Sequence, residues 1–337
     1  MTYYNSYFHH IYIEKKAFAY PLTEKILKQL NMKSNSIIEI EHYKDVFNRS
    51  NQCFHEQKKA PSLILAVKEG TLVYPGAPVC QSFGQEHFYY TSCIMNCIYD
   101  CEYCYLQGMY PSANLVIFVN LDDIFHEVEQ LLAKHPVYLC ISYDTDLLAL
   151  ESMLGIVHQW MSFVETHEAL TVELRTKSAN LTSILDVAPN DRFILAWTLS
   201  PDEIASSYEH NAPSTKLRIQ SIQKALTLGY PVRLCFDPVL LVKDYRMKYG
   251  SLVQTLCDSI DITQVRDVSL GVFRISADYM SAMRKGRPDS SIIQFPYEND
   301  HGVFHIPKAK TKELMDYMTE LLSTKLPKEK LFIWEEN

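Results

Sequence analysis

The chain has 337 residues, 47% of them apolar and 21% charged, which is enough for one large core or two modest ones and excludes a disordered, fibrous or disulfide-stapled protein. With 10 Gly and 15 Pro there is no Gly-rich linker or low-complexity tail. Forty acidic against 32 basic residues give a formal charge of −8, so any nucleic acid would have to be met by a local basic patch. No apolar run approaches the roughly 18 residues that cross a bilayer. The start, MTYYNSYFHHIYIEKK, lacks the apolar core of a signal peptide, so the expectation is a cytoplasmic protein without membrane contact.

Residues 1–85 predict an N-terminal α+β extension: FHHIYIEKKAFAYPLTEKILKQL reads as a strand leading into a helix, and SLILAVKEGTLVYPG as a hairpin. From about residue 86, short β-branched and aromatic runs alternate with amphipathic segments of helical period. That pattern predicts a parallel sheet with crossover helices. The candidate strands are 87–92, 137–142, 171–176, 193–199, 232–237 and 268–273, and the candidate helices 121–134, 147–165, 178–187, 214–228, 248–259 and one near 276–285. Six βα units are too few for a closed eightfold barrel and predict an α/β fold built on an open, partial (β/α)6 TIM-like barrel over residues 86–275. Residues 276–337 form a C-terminal extension, ending in a helix with Leu314, Met315, Met318, Leu321 and Leu322 on one face.

The nine cysteines are Cys53, Cys80, Cys93, Cys97, Cys101, Cys104, Cys140, Cys235 and Cys257, an odd count that predicts reduced thiols or metal ligands. Cys97, Cys101 and Cys104 stand in C-x3-C-x2-C spacing within CIMNCIYDCEYCYLQG, just after the first candidate strand. A short loop can turn three thiolates onto one face of a [4Fe–4S] cubane and leave the fourth iron open. A register starting at Cys93 puts Asp100 in the third position, so Cys93 is left to a structural role. The competing reading is a structural zinc site, which needs a second Cys pair or His. Cys140, Cys235 and Cys257 stand alone and offer no such pair.

The spacing, with Tyr103 before the last cysteine and the loop placed after the first strand of a partial barrel, resembles the radical S-adenosylmethionine superfamily. Within it, AFAYPLTEKIL, CEYCYLQG, FVNLDDIF, RTKSAN, SSYEHNAPSTKLRI and GYPVRLCFDPV resemble, in the same order, segments of the spore photoproduct lyase family. The resemblance implies a [4Fe–4S] cluster on Cys97, Cys101 and Cys104, with S-adenosylmethionine on the open iron as the source of a 5′-deoxyadenosyl radical. It implies a lyase that returns the ultraviolet lesion 5-thyminyl-5,6-dihydrothymine in DNA to two thymines. UV-damaged DNA is then the partner, and an electron donor such as flavodoxin or ferredoxin is needed. Two other readings stay open: a divergent radical enzyme of the same fold with another substrate, and a non-catalytic iron–sulfur or zinc binding module.

In barrels of this kind catalysis sits at the C-terminal ends of the strands, which directs attention to Asp144, Thr145, Asp146, Lys177, Thr198, Ser200, Asp237 and Arg274. The resemblance places Tyr103, Thr145, Lys177 and Thr198 around S-adenosylmethionine and gives Tyr103 and Tyr105 a part in passing hydrogen atoms. Glu209 and Arg218 read as a structural ion pair. One departure stands out: where the family carries its hydrogen-donor cysteine after the second strand, SYDTD puts Tyr143. Cys140 lies three residues earlier, on the opposite face of a regular strand. Three readings follow: Cys140 is turned inward by a bulge, Tyr143 or another tyrosine is the donor, or the chemistry differs from lesion reversal. Arg274, Arg284, Lys285 and Arg287, with Lys308, Lys310 and Lys312, are candidates for a phosphate-tracking patch or a solvated face. A wedge or β-hairpin beside the barrel mouth is expected, since a lesion inside a duplex must be swung out to reach a buried radical.

Overall fold

All six expected strands form, as Phe88–Thr91, Val137–Cys140, Leu170–Thr176, Phe193–Thr198, Val232–Val239 and Asp267–Val272, in a computed structural model that describes residues 7–30, 36–77 and 80–334. They pair in parallel and in chain order. Val73–Pro75 adds antiparallel to the first strand and Leu331–Ile333 parallel to the sixth, so the partial barrel is finished at both edges by chain from outside it.

Alternation along these strands separates two environments. Leu139, Ile141, Val172, Leu174, Leu195, Trp197, Leu234 and Phe236 face outward into the main apolar core. Helices Leu121–Leu132, Leu147–Leu154, Ile156–Thr166, Thr215–Thr227 and Lys308–Ser323 pack against that side of the sheet. The helix expected over 147–165 is two helices bent by 99°, because Gly155 adopts φ 67, a left-handed conformation that costs glycine little. Glu151 then accepts from the backbone N–H groups of Val157 and His158 and caps the second helix. Among the described residues no single helix is long and apolar enough to cross a membrane. The segment expected as a helix over 178–187 forms only the short turn Leu181–Ile184.

The alternate residues Tyr138, Cys140, Glu173, Arg175, Arg233 and Cys235 line the concave face, cross-strand neighbours in register. Arg233 seals its base. Its guanidinium is fully buried, pairs with Glu173 and Asp267, donates to the Tyr138 hydroxyl at 2.6 Å and lies 3.3 Å from the centre of the Phe83 ring.

The boundary expected at residue 85 does not coincide with the sheets. A second, five-stranded sheet runs Ile37–Ile40, Ile11–Glu14, Leu63–Ala66, Leu115–Phe118, Ile94–Met95, and its last two strands come from the barrel segment. The expected hairpin over residues 62–76 is likewise not one. Leu63–Ala66, apolar at every position and buried on both faces, belongs to the middle of this second sheet, whereas Val73–Pro75 joins the barrel. Two buried faces need two partners, and a hairpin with a half-exposed strand supplies one. In the C-terminal segment Glu298–Asp300 and Val303–His305 do make a hairpin, turned by His301 and Gly302 at φ 48 and 85. It pairs with Arg274–Ser276, directly after the sixth barrel strand, and so stands beside the barrel mouth.

Removing a buried charge strands its partners. Arg233→Met, which takes the buried guanidinium from Glu173 and Asp267 and leaves them only Arg175 and Arg266 at the edge of the site, is expected to cost about 3 kcal/mol in denaturant unfolding.

Candidate active site at the mouth of the partial barrel

The loop that carries the three cysteines follows the first barrel strand and is entered through Asn96. Asn96 has φ 70 and is fully buried, and its amide donates to the carbonyls of Ser112 and Asn114, each at 2.8 Å. Asparagine tolerates this left-handed turn and its side chain pins it. Beyond it the loop has almost no regular structure, so its carbonyls are met by side chains. Tyr7 donates to Ile98 O at 3.0 Å, and Lys58 to Cys97 O and Tyr99 O. Gln107 donates to Cys101 O at 2.9 Å and Glu102 O at 2.6 Å. Arg287 donates to Gln107 at 2.7 Å and pairs with Asp100. A two-residue antiparallel bridge joins Asp100–Cys101 to Glu209–His210.

Cys97, Cys101 and Cys104 line one small pocket. Burial pushes the Cys97 and Cys101 thiols up to about 12 and raises Cys104 as well. Lys58 opposes this at Cys97 and Cys104, and Lys177 at Cys101 and Cys104. Buried thiols of this kind lose their protons to a metal rather than to water. Among the described residues no three His, Cys, Asp or Glu side chains are drawn together as a closed ligand set. The three thiols share the wall of one pocket, as the three thiolate ligands of a [4Fe–4S] cluster would.

On the Cys101 side, Lys177 Nζ lies 3.9 Å from Glu209 and 5.1 Å from the centre of the Tyr103 ring. Tyr103 and Ser200 donate to Glu209, which also pairs with fully buried Arg218. Arg218 in turn donates to Thr198 O at 3.2 Å. Tyr103 and Lys177 thus meet at the buried Glu209–Arg218 pair, and Thr198 touches that pair through its carbonyl. Burial pushes the Glu209 carboxyl up, but Lys177 and Arg218 outweigh it and hold the group at about 2.

The other side is built on Asp144. Ser92 donates to it and Tyr105 Oη reaches it at 3.3 Å, while Tyr105 also donates to Tyr143 O at 2.7 Å. Burial raises the Asp144 carboxyl although Ser92, Tyr110, Lys68 and Tyr105 pull the other way. Asp146 is consumed locally: it accepts from Ala149 N, Thr176 Oγ1 and Lys177 N, which caps a helix and fixes the start of the Lys177 loop. Between the two sides the Thr145 hydroxyl is buried with no hydrogen-bond partner among the described residues.

Cys140 and Tyr143 do not face opposite ways. The regular strand ends at Cys140, so alternation stops there. Cys140 lies on the concave face beside Glu173, while Tyr143 stacks on Tyr90 of the first strand at 4.1 Å between ring centres. No bulge is involved. The thiol nearest Tyr143 is Cys80, whose Sγ lies 3.5 Å from Tyr143 Oη. Cys80 sits on a loop anchored by Phe83 against Arg233 and by Gln81, which donates to Ile333 O at 3.2 Å. Nothing local in the sequence marks this residue, because its placement depends on chain ends far apart in sequence.

Of the four basic candidates for DNA, three are engaged internally. Arg287 is buried in its contacts with Asp100 and Gln107, a correction to its expected place in a phosphate patch. Arg284 donates to Ile293 O and Phe295 O, and Arg274 stacks 3.6 Å from the Trp334 ring centre and donates to Val272 O. These arginines close loops of the irregular C-terminal segment, where carbonyls lack ladder partners. Lys285 is exposed. Lys308, Lys310 and Lys312 pair at the surface with Asp300, Glu313 and Asp316.

A parallel partial barrel that carries a C-x3-C-x2-C loop after its first strand is the architecture of the radical S-adenosylmethionine enzymes. The family model described as spore photoproduct lyase matches residues 7–288, and the chain belongs to that family. The chain is 25% identical over 266 residues to the spore photoproduct lyase of Clostridium acetobutylicum, covering 75% of each. It is 19% identical over 252 residues to that of Bacillus subtilis, covering 73% of this chain and 72% of the relative. A solved spore photoproduct lyase complexed with dinucleoside spore photoproduct superimposes with a TM-score of 0.82 at 17% identity, over 98% of both chains.

A carboxyl depressed by folding adds stability that is full above its unfolded value and is lost as pH falls toward the folded one. With Glu209 at about 2 against 4.5 unfolded, about 3 kcal/mol is expected to disappear between about pH 5 and pH 2. Glu209→Gln should flatten this acid limb in urea titrations at stepped pH.

Proposed function

We propose that this chain is a radical S-adenosylmethionine lyase that repairs the spore photoproduct in DNA, returning it to two thymines. The observation that carries the reading is the lining of one pocket by Cys97, Cys101 and Cys104 at the mouth of the barrel. When bound, the [4Fe–4S] cluster and S-adenosylmethionine supply a 5′-deoxyadenosyl radical. The chain's part is to hold, orient and shield. The Lys177 ammonium suits a carboxylate, the unpartnered Thr145 hydroxyl and Thr198 suit further polar groups, and Tyr103 offers an aromatic wall.

Lysis of the lesion is redox-neutral: a hydrogen atom leaves C6, the bridging carbon–carbon bond breaks, and one hydrogen atom is given back. In this reading Cys80 gives it, breaking its S–H bond as the product C–H bond forms. Tyr143 Oη, in contact with Cys80 Sγ, restores the thiol, and the hydrogen atom first taken from C6 would return to Tyr143 so that no radical is left on the chain; the Tyr105 ring lies 6.1 Å from that of Tyr143. Cys140 lies deeper in the barrel, where burial and Glu173 raise its thiol strongly, and it takes no part. The hairpin Glu298–His305 is the wedge beside the mouth, with Lys285 and the residues around it meeting DNA. Residues 276–337 are in this sense the DNA-contacting extension, 1–85 the extension that packs on the barrel, and 86–275 the catalytic segment. The site requires an electron donor such as flavodoxin or ferredoxin, and the setting is the cytoplasm.

A second reading, the same chemistry on another substrate, is favoured by the internal engagement of Arg284 and Arg287. Anaerobic reconstitution, reduction and incubation with S-adenosylmethionine and a synthetic dinucleotide spore photoproduct separates the two. Thymidylyl-thymidine together with 5′-deoxyadenosine is the expected result, and 5′-deoxyadenosine without repair would transfer the chain to the second reading. In the same assay Cys80→Ala is expected to lower the yield of intact dinucleotide at least tenfold and divert the lesion to side products. Cys140→Ala should match the parent, and an unaltered product distribution in Cys80→Ala would remove Cys80 from the mechanism.

A further inference from the structure

We propose that Lys58, on a short helix of the N-terminal extension, is a positioning residue for the cluster that sets its reduction potential. The inference rests on the cysteine pocket being a cluster site. Lys58 lies in the helix Phe54–Lys59, outside the barrel, and is 9% exposed. Its ammonium donates to two carbonyls of the cysteine loop, Cys97 O and Tyr99 O, the latter at 2.8 Å. It lines the same pocket as Cys97, Cys101 and Cys104.

A buried ammonium is costly unless something offsets its charge. Among the described residues no carboxylate lies within ion-pair distance of Lys58, whereas Arg218 and Lys177 have Glu209 and Arg287 has Asp100. Two carbonyl dipoles satisfy two of the three N–H groups and none of the charge. The missing counter-charge is therefore supplied by the pocket's own occupant. Three thiolates leave an oxidised [4Fe–4S] cluster net negative and reduction adds one more charge, so a fixed cation lining the same pocket favours the reduced form. Net charge and hydrogen bonding around the cluster are among the factors that set such potentials.

The test uses the full chain, reconstituted anaerobically, with the midpoint potential followed by the cluster's paramagnetic signal and iron counted per chain. Lys58→Arg is expected to keep the parent potential. Lys58→Met and Lys58→Gln are expected to titrate at more negative potentials and to lose iron to a chelator several times faster. Gln retains a donor without the charge, so it reports the charge even where Met loads poorly. A Lys58→Gln protein with the parent potential would overturn the proposal. A parent chain that binds iron but forms no [4Fe–4S] signal would overturn the reading of the pocket itself, which the variants do not address.

Discussion

The chemistry at the barrel mouth depends on holding an irregular stretch of backbone still. Three thiolates on one face of a cluster need spacings that neither a helix nor a strand provides, so the loop from Cys97 to Cys104 gives up ladder hydrogen bonds. An unmet buried carbonyl costs about as much as a lost hydrogen bond. The structure meets this with Gln107 from just beyond the loop and with side chains from two distant regions, Tyr7 and Lys58 from the N-terminal extension and Arg287 from the C-terminal segment. The extensions are thus part of the site's construction, and that explains why sheet boundaries and segment boundaries disagree. Leu115–Phe118 leaves the barrel to pair with Leu63–Ala66, the strand that follows the Lys58 helix, and so ties that helix to the loop that Lys58 holds.

Much of the fold was legible because it rests on local periodicity. Runs such as VRLCF and FILAW are apolar at both parities, as strands covered on both faces must be, and all six barrel strands appear where these runs lie. The short LVIF at Leu115–Phe118 carries the same signal in four residues, too few to separate strand from loop by pattern alone. The failed hairpin has the opposite lesson. LILA and VYP are adjacent in sequence and pair with different sheets, since pairing depends on which face needs cover, and that is a tertiary fact.

The site divides in the same way. The cysteine spacing and the strand-end residues Lys177 and Thr198 are local motifs on a known architecture; Lys177 reaches Glu209, and Thr198 accepts through its carbonyl from the Arg218 that pairs with it. Cationic side chains were less legible because charge alone does not say whether an arginine faces phosphate or carbonyl. Arg284 and Arg287 have good reason to look basic and exposed in sequence, yet an irregular segment poor in ladder bonds needs donors, and guanidinium groups supply several in fixed directions. Cys80 lay outside any motif for a related reason. Its loop is positioned by an aromatic ring on a buried guanidinium and by a carbonyl of the last strand, contacts that exist only once both ends of the chain are in place.

This arrangement bears on how one barrel keeps a hydrogen donor while the strand that normally offers it changes. A donor has to reach the product from within the shielded lumen, but it does not have to come from any one strand. At the end of the second strand the chain carries a tyrosine, stacked on Tyr90 and bonded through its carbonyl to Tyr105, so that position is occupied by a rigid aromatic wall. The thiol then enters from the facing loop and meets the phenol edge. Arg233 holds the Phe83 ring that fixes the Cys80 loop, and the same guanidinium closes the base of the barrel through Glu173 and Asp267. Stability of the barrel and placement of Cys80 against Tyr143 are therefore coupled through one buried side chain.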